Sequence, residues 1–165
     1  MTTSAPVQVL TLLLGDETYG VDILRVQEIR GWTPVTRIPY APPHVLGVLN
    51  LRGSIIPIVD LRLLFALERA EYSAVTVIVV LSVICRDTRR NFGVVVDGVS
   101  DVVDVDAARV RTAPDLGSSA ATDYISGLLP VAQHMVILLD IDKLIGYDRM
   151  VSGDAVEALP EASAA

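Results

Sequence analysis

The sequence predicts an all-β barrel or sandwich, and two observations carry that expectation. About nine or ten short apolar runs of high β-propensity alternate with turn signals. From Val75 to Cys85, eight of eleven residues are Val, Ile or Thr, a β-branched density that crowds a helix and suits a strand buried on both faces. With 165 residues the chain can bury roughly two-thirds of its unfolded surface, so a self-standing core is expected.

Val7 to Leu14 reads as the first strand, and Gly15-Asp16-Glu17 as a turn into a second at Thr18 to Ile23. Ile23 to Arg30 fits either a helical turn and a half or an irregular extended segment. Pro34, Pro39, Pro42 and Pro43 then exclude regular structure. Val45 to Leu51 and Ser54 to Val59 form strands joined tightly at Arg52-Gly53, with Pro57 predicting an edge or a bulge. Asp60 is a fitting N-cap for a short helix, Leu61 to Leu67. After the long strand of Ala74 to Cys85 come Phe92 to Val96, Val99 to Val105 and Val110 to Ala113, then a Gly-, Ser- and Ala-rich loop from Pro114 to Thr122. Tyr124 to Pro130 and Met135 to Ile141 make the last pair of strands, and Asp142 to Tyr147 a final helical turn. No repeat of 20 to 50 residues is detectable, so an internal duplication would be structural only.

The formal net charge of −7 and the lack of a basic stripe argue against nucleic-acid binding. Arg86, Arg89 and Arg90 read as a solvated hairpin tip. The longest apolar run, Ala74 to Cys85, falls short of the about 20 residues needed to span a bilayer, so no direct membrane insertion is expected. Met1 to Pro6 has neither a basic nor an apolar leader region, so nothing suggests export. The lone Cys85 reads as a small packed hydrophobe.

Catalysis finds no foothold. His44 and His134 belong to no ligand or triad spacing and read as loop residues, and the glycine patterns of phosphate cradles and nucleophile elbows are missing. Asp97, Asp101, Asp104 and Asp106 lack the spacing and bidentate Glu of a calcium loop and read as outward strand residues. A small acidic β-protein with many apolar residues and no catalytic constellation points to a binding module.

Three segments then become specific. YGVDILRVQEIRG (Tyr19 to Gly31), GVLNLRGSIIPIVDLR (Gly47 to Arg62) and GVVVDGVSDVV (Gly93 to Val103) resemble the signature runs of the CheW family, the coupling proteins of bacterial chemotaxis. DYISGL (Asp123 to Leu128) and MVILLDIDKLI (Met135 to Ile145) extend the resemblance over nearly the whole chain.

The resemblance implies two small, intertwined, five-stranded SH3-like β-barrels with one or two short helices and a hydrophobic junction. It places a CheW-like domain at 7–148, with flexible tails at 1–6 and 151–165. It also implies a cytoplasmic, non-catalytic adaptor without cofactor, which joins the cytoplasmic tips of chemoreceptors to the regulatory domain of a CheA-type histidine kinase in membrane-associated arrays and pairs in rings. Receptor binding maps onto Val26, Glu28, Gly47, Arg52, Val99 and Val102; kinase-facing residues are unassigned. Arg62 reads instead as a structural contact, and the Arg86 to Asn91 loop as longer than the family's. A coupling protein for another output, such as pilus motility, and a small-ligand-binding β-barrel stand as alternatives.

Overall fold

The computed structural model describes residues 8–65, 67, 71–85, 87–112 and 124–145. Both tails, Ala113, the Pro114 to Thr122 loop, Arg86 and Tyr147 lie outside the described residues. Ten strands form two five-stranded sheets. The terminal sheet takes β1 (Gln8–Leu14), β2 (Glu17–Asp22), β8 (Gly98–Asp104), β9 (Ile125–Val131) and β10 (His134–Leu139) in the order β8-β1-β2-β10-β9. Between β2 and β8 the chain builds the central sheet from β3 (Val26–Gly31), β4 (Val45–Leu51), β5 (Ser54–Asp60), β6 (Val77–Cys85) and β7 (Thr88–Val96), ordered β3-β6-β7-β5-β4. The two units are therefore intertwined. Each curls into a barrel closed by one antiparallel bridge, Thr36 to Val48 in the central unit and Arg111 to Leu128 in the terminal one.

Strand alternation explains the hydrophobic content. On β6, Val79, Leu81 and Val83 enter a junction core between the barrels, while Ile78 and Val80 fill the central barrel. On β7, Phe92, Val94 and Val96 face the junction and Val95 faces inward. On β1, Leu10, Leu12 and Leu14 supply the junction and Val9 the terminal barrel, where Leu129, Val136 and Leu138 join it. Strands shared by two cores have no solvent face, so they read as continuous apolar runs. The barrel interiors are filled by these side chains, which a small-ligand lumen would have to displace.

The barrels repeat one another in register. Gly93 on β7 lies beside Val80 and Ile58, as Gly20 on β2 lies beside Thr11 and Leu138. The β4–β5 hairpin and helix α1 (Leu61–Leu64) then match the β9–β10 hairpin and α2 (Ile141–Ile145) at a constant offset. Gly47 matches Gly127, Arg52 matches Ala132, Asp60 matches Asp140 and Leu64 matches Leu144. The duplication is visible in pairing and barely in sequence.

Several expectations change in detail. Ile23 to Arg30 uses both of its options, a 3-10 turn at Ile23–Arg25 capped by the Asp22 carboxylate and then β3. Pro57 sits in an internal strand, not at an edge. It faces Val48, whose N–H and C=O both go to Thr36, and pairing of β5 with β7 starts one residue later at Ile58, so its missing donor breaks no ladder. Asp60, 1% exposed, caps α1 through the Arg62 N–H and also accepts from the Tyr72 hydroxyl. Helix α1 ends at Leu64, short of Leu67.

The Arg86 to Asn91 loop is instead a longer hairpin. Pairing continues to Cys85 with Thr88, so Arg89 and Arg90 belong to β7, and Arg89 donates to the Ser82 hydroxyl. His134 opens β10 and is not a loop residue. The expected strand at Val110 reduces to a 3-10 turn, Ala107–Arg109, and the single bridge at Arg111.

Close approach restricts Gly47, Gly93 and Gly127, and most strictly Gly47, which meets backbone. Gly47 has φ 153°, and a Cβ there would overlap the carbonyl of Thr36, the barrel-closing partner. A Cβ on Gly93 would fall 2.6 Å from Ile58 Cδ1 inside the central barrel. Gly47→Ala is expected to lower unfolding free energy by about 2 kcal/mol or more. Gly31→Ala, where a Cβ meets nothing within 4 Å, should change it by less than about 0.5 kcal/mol. Urea unfolding of both variants checks the contrast.

Candidate functional site

The edge strands β3 and β8 border the junction core from opposite barrels. Val26 pairs with Leu81 and Ile29 with Val79, and both partners belong to the junction. Val99 pairs with Leu12 and Val102 with Leu10, again junction residues. Residues paired in register project from the same face of a sheet. Positions three apart on a regular strand would project to opposite faces, but each edge strand carries an extra residue. The bulges between Val26 and Glu28 and between Val99 and Val102 turn both members of each pair toward the junction.

The β8 bulge is secured by Thr11, 3% exposed, whose hydroxyl donates to the Asp101 carbonyl at 2.9 Å and accepts from the Asp101 N–H at 2.8 Å. Val26 and Val99 are half-buried against the junction, whereas Ile29 is 46% and Val102 49% exposed. The β3 pair and the β8 pair each line the margin of the junction core, which they rim with apolar side chains. Covering two such half-exposed side chains is worth roughly 1 kcal/mol each to a partner that fits.

On the other face of β3, the one that pairs with the central-barrel residues Val80 and Ile78, Glu28 accepts from Arg52 Nη1 at 2.9 Å and from Arg30 Nη1 at 3.2 Å. The carboxylate is mostly shielded, but the Arg52 side chain is 82% exposed. An ion pair this open contributes about 0–1 kcal/mol to stability. Arg52 has φ 54° at the β4–β5 turn, and its counterpart Ala132 has the same φ 54°. The turn therefore does not require arginine, and stability alone does not account for it.

Of the six residues expected to bind a receptor, Glu28 and Arg52 touch, while Val26, Val99 and Val102 share the rim. Gly47 stands apart from both groups, on β4 against Thr36, where it keeps the central barrel closed. Ile29 was missed by the sequence reading. Its signal is the pairing with Val79, which becomes visible only once the bulge is known.

Two further ion pairs were also missed in whole or in part. Arg25 meets Asp142 bidentately, Nη1 to Oδ1 at 2.8 Å and Nη2 to Oδ2 at 2.7 Å, which raises the affinity of its guanidinium for the proton despite desolvation. Arg62 Nη1 meets Asp97 Oδ2 at 2.7 Å, so its structural contact reaches across to the terminal barrel.

The remaining acidic residues also have separate tasks. Asp104 accepts from Gln8, and Asp106 caps the 3-10 turn at Ala108. Among the described residues no three or more His, Cys, Asp and Glu side chains are grouped to hold a metal ion. No helix among them is long and apolar enough to cross a membrane.

Comparison with known proteins agrees with this architecture. The sequence matches the CheW-like domain over residues 8–149. It is 46% identical over 147 residues to the chemotaxis protein CheW of Klebsiella aerogenes, covering 89% of this chain and 86% of that one. It is 36% identical over 137 residues to the chemotaxis protein CheW of Rhizobium meliloti, covering 83% and 86%. The crystal structure of the scaffolding protein TtCheW from Thermoanaerobacter tengcongensis superposes with a TM-score of 0.76 at 26% identity, covering 88% of this chain and 92% of that one. With its two barrels, its junction and this match along its length, the chain belongs to the CheW family of chemotaxis scaffold proteins.

Proposed function

We propose that this chain is a non-catalytic adaptor that couples the cytoplasmic tips of chemoreceptors to a CheA-type histidine kinase. The receptor tip, a helical hairpin, seats an apolar face on the rim of Val26, Ile29, Val99 and Val102, in the manner of a helix laid into a groove. Glu28 and Arg52, on the opposite face of β3 and at the β4–β5 turn, supply a separate polar contact, and Gly47 acts through the shape of the central barrel. A different surface takes the regulatory domain of the kinase, and pairing of barrels extends the assembly into rings. The protein works in the cytoplasm, recruited to membrane-associated arrays by these contacts, and needs no cofactor.

The observation that carries this reading is the placement of Arg52. It occupies a turn position that alanine fills in the equivalent hairpin, and it holds a shielded carboxylate while most of its own fork stays exposed. A guanidinium in that state has donors to offer an incoming carboxylate or carbonyl.

Arg52→Glu, which places two carboxylates together, should reduce receptor-dependent kinase activation by about tenfold or more. Its melting temperature should stay within about 3 °C of the parent, since the lost pair is exposed. Full activation by the folded variant would remove Arg52 from the function. Titration calorimetry against the isolated regulatory domain of the same organism's CheA kinase should show saturable binding at micromolar dissociation constant or tighter, about −8 kcal/mol. Absence of heat and of co-migration, with both proteins folded, would reject the kinase partner.

A further inference from the structure

The two ion pairs outside the rim occupy corresponding places in the two barrels: their helix members are equivalent and opposite in charge, and their crossover members lie one residue apart in register. Arg62 on α1 corresponds to Asp142 on α2 by the offset that matches Asp60 with Asp140. Their partners, Asp97 and Arg25, lie in the two crossovers between barrels, from β7 to β8 and from β2 to β3. Each crossover closes on the same backbone groups of a hairpin, because Leu12 matches Leu81 and hence Leu13 matches Ser82 and Gly15 matches Ile84.

In the terminal barrel, Asp97 donates its N–H to the Leu13 carbonyl at 2.9 Å, and its carboxylate accepts from the Gly15 N–H at 2.7 Å. In the central barrel, Arg25 Nη1 donates to the Ser82 carbonyl at 2.9 Å, and the Asp142 carboxylate accepts from the Ile84 N–H at 2.8 Å. In both places one carboxylate serves the free amide and the guanidinium together. The element that supplies the carboxylate differs, and so does the donor to the carbonyl, a backbone N–H at Leu13 and a guanidinium at Ser82.

Arg25 immediately precedes Val26, and Asp97 lies two residues before Val99. We propose that Arg25–Asp142 and Arg62–Asp97 are positioning pairs for the partner-binding rim, each fixing the start of the edge strand that follows it, and that either charge polarity serves at either crossover. The polarity claim follows from the molecule itself, which already uses both arrangements. The positioning claim follows from chain connectivity, since a guanidinium anchored at two carboxylate oxygens and one carbonyl leaves the next residue little freedom. Its consequence for binding rests on the receptor reading given above.

The test uses the full chain with methyl-labelled valines. Asp142→Ala should move the Val26 methyl resonances and leave those of Val99 in place, and should weaken binding of a chemoreceptor tip hairpin about fivefold or more. Affinity for the kinase regulatory domain should change by less than about twofold, which a general loss of structure would not spare. The reversed pair Arg25→Asp with Asp142→Arg should return the Val26 resonances and bring receptor affinity to within about twofold of the parent, because the new carboxylate at position 25, one residue on from the place of Asp97, can pair with the new guanidinium and accept from the Ile84 N–H that Asp142 served. If Asp142→Ala does not fold, Asp142→Asn removes the charge, keeps an acceptor and is read in the same way.

Unmoved Val26 methyls, or a reversed pair no better than the single variant, would overturn the proposal. A parent protein that binds no receptor tip would overturn the functional reading instead. The methyl shifts and their rescue would still decide the positioning.

Discussion

The junction core is the constraint on which the other features depend. Leu10, Leu12 and Leu14 from one barrel and Val79, Leu81, Val83, Phe92 and Val94 from the other are buried together, on strands whose opposite faces also fill a barrel. Such strands cannot shift register by one residue, because a shift would exchange two cores at once. The junction thereby fixes how the barrels sit and, at its margin, which residues of β3 and β8 remain to be covered by something else.

What was legible in the sequence follows from this arrangement. The run of β-branched residues in β6 announced a strand buried twice, the Asp60 cap was readable from its position before Leu61, and the turn at Arg52-Gly53 lay where expected. The rim was only partly legible. Val26 and Ile29, or Val99 and Val102, are three residues apart, a spacing that suggests a helix or opposite faces of a strand, and only a bulge reconciles it with one apolar face. Bulges depend on the partner strand, here on the Thr11 hydroxyl, and so leave little local trace. Of the two settings expected for Pro57, the edge is not found and a register shift lies beside it, between Val45 and Gly47; its tolerance also depends on Val48 spending its backbone groups on Thr36, far from it in sequence. The duplication escaped because equivalent positions preserve shape more than identity, as Arg52 and Ala132 share a backbone angle and nothing else.

That same duplication supplies an internal control for function. Where the equivalent residues agree, as with Gly47 and Gly127 or Asp60 and Asp140, the fold explains them. Where they differ, as at Arg52 and Ala132, the shared backbone angle does not account for the side chain. The apolar parts of the two half-sites are alike, Val26 with Ile29 against Val99 with Val102. The charged Glu28–Arg52 pair belongs to the opposite, central-barrel face of β3, so charge and apolar surface are separated by the strand.

The most direct test of this account is a titration of the methyl-labelled chain with a chemoreceptor tip hairpin, followed by methyl resonances. The account predicts that Val26, Ile29, Val99 and Val102 shift together and saturate with one dissociation constant. Ile55 and Met135, exposed near the turns of the two equivalent hairpins, should remain in place. Shifts centred on Ile55 or Met135 with a silent rim would contradict it and move the receptor site to the barrel ends.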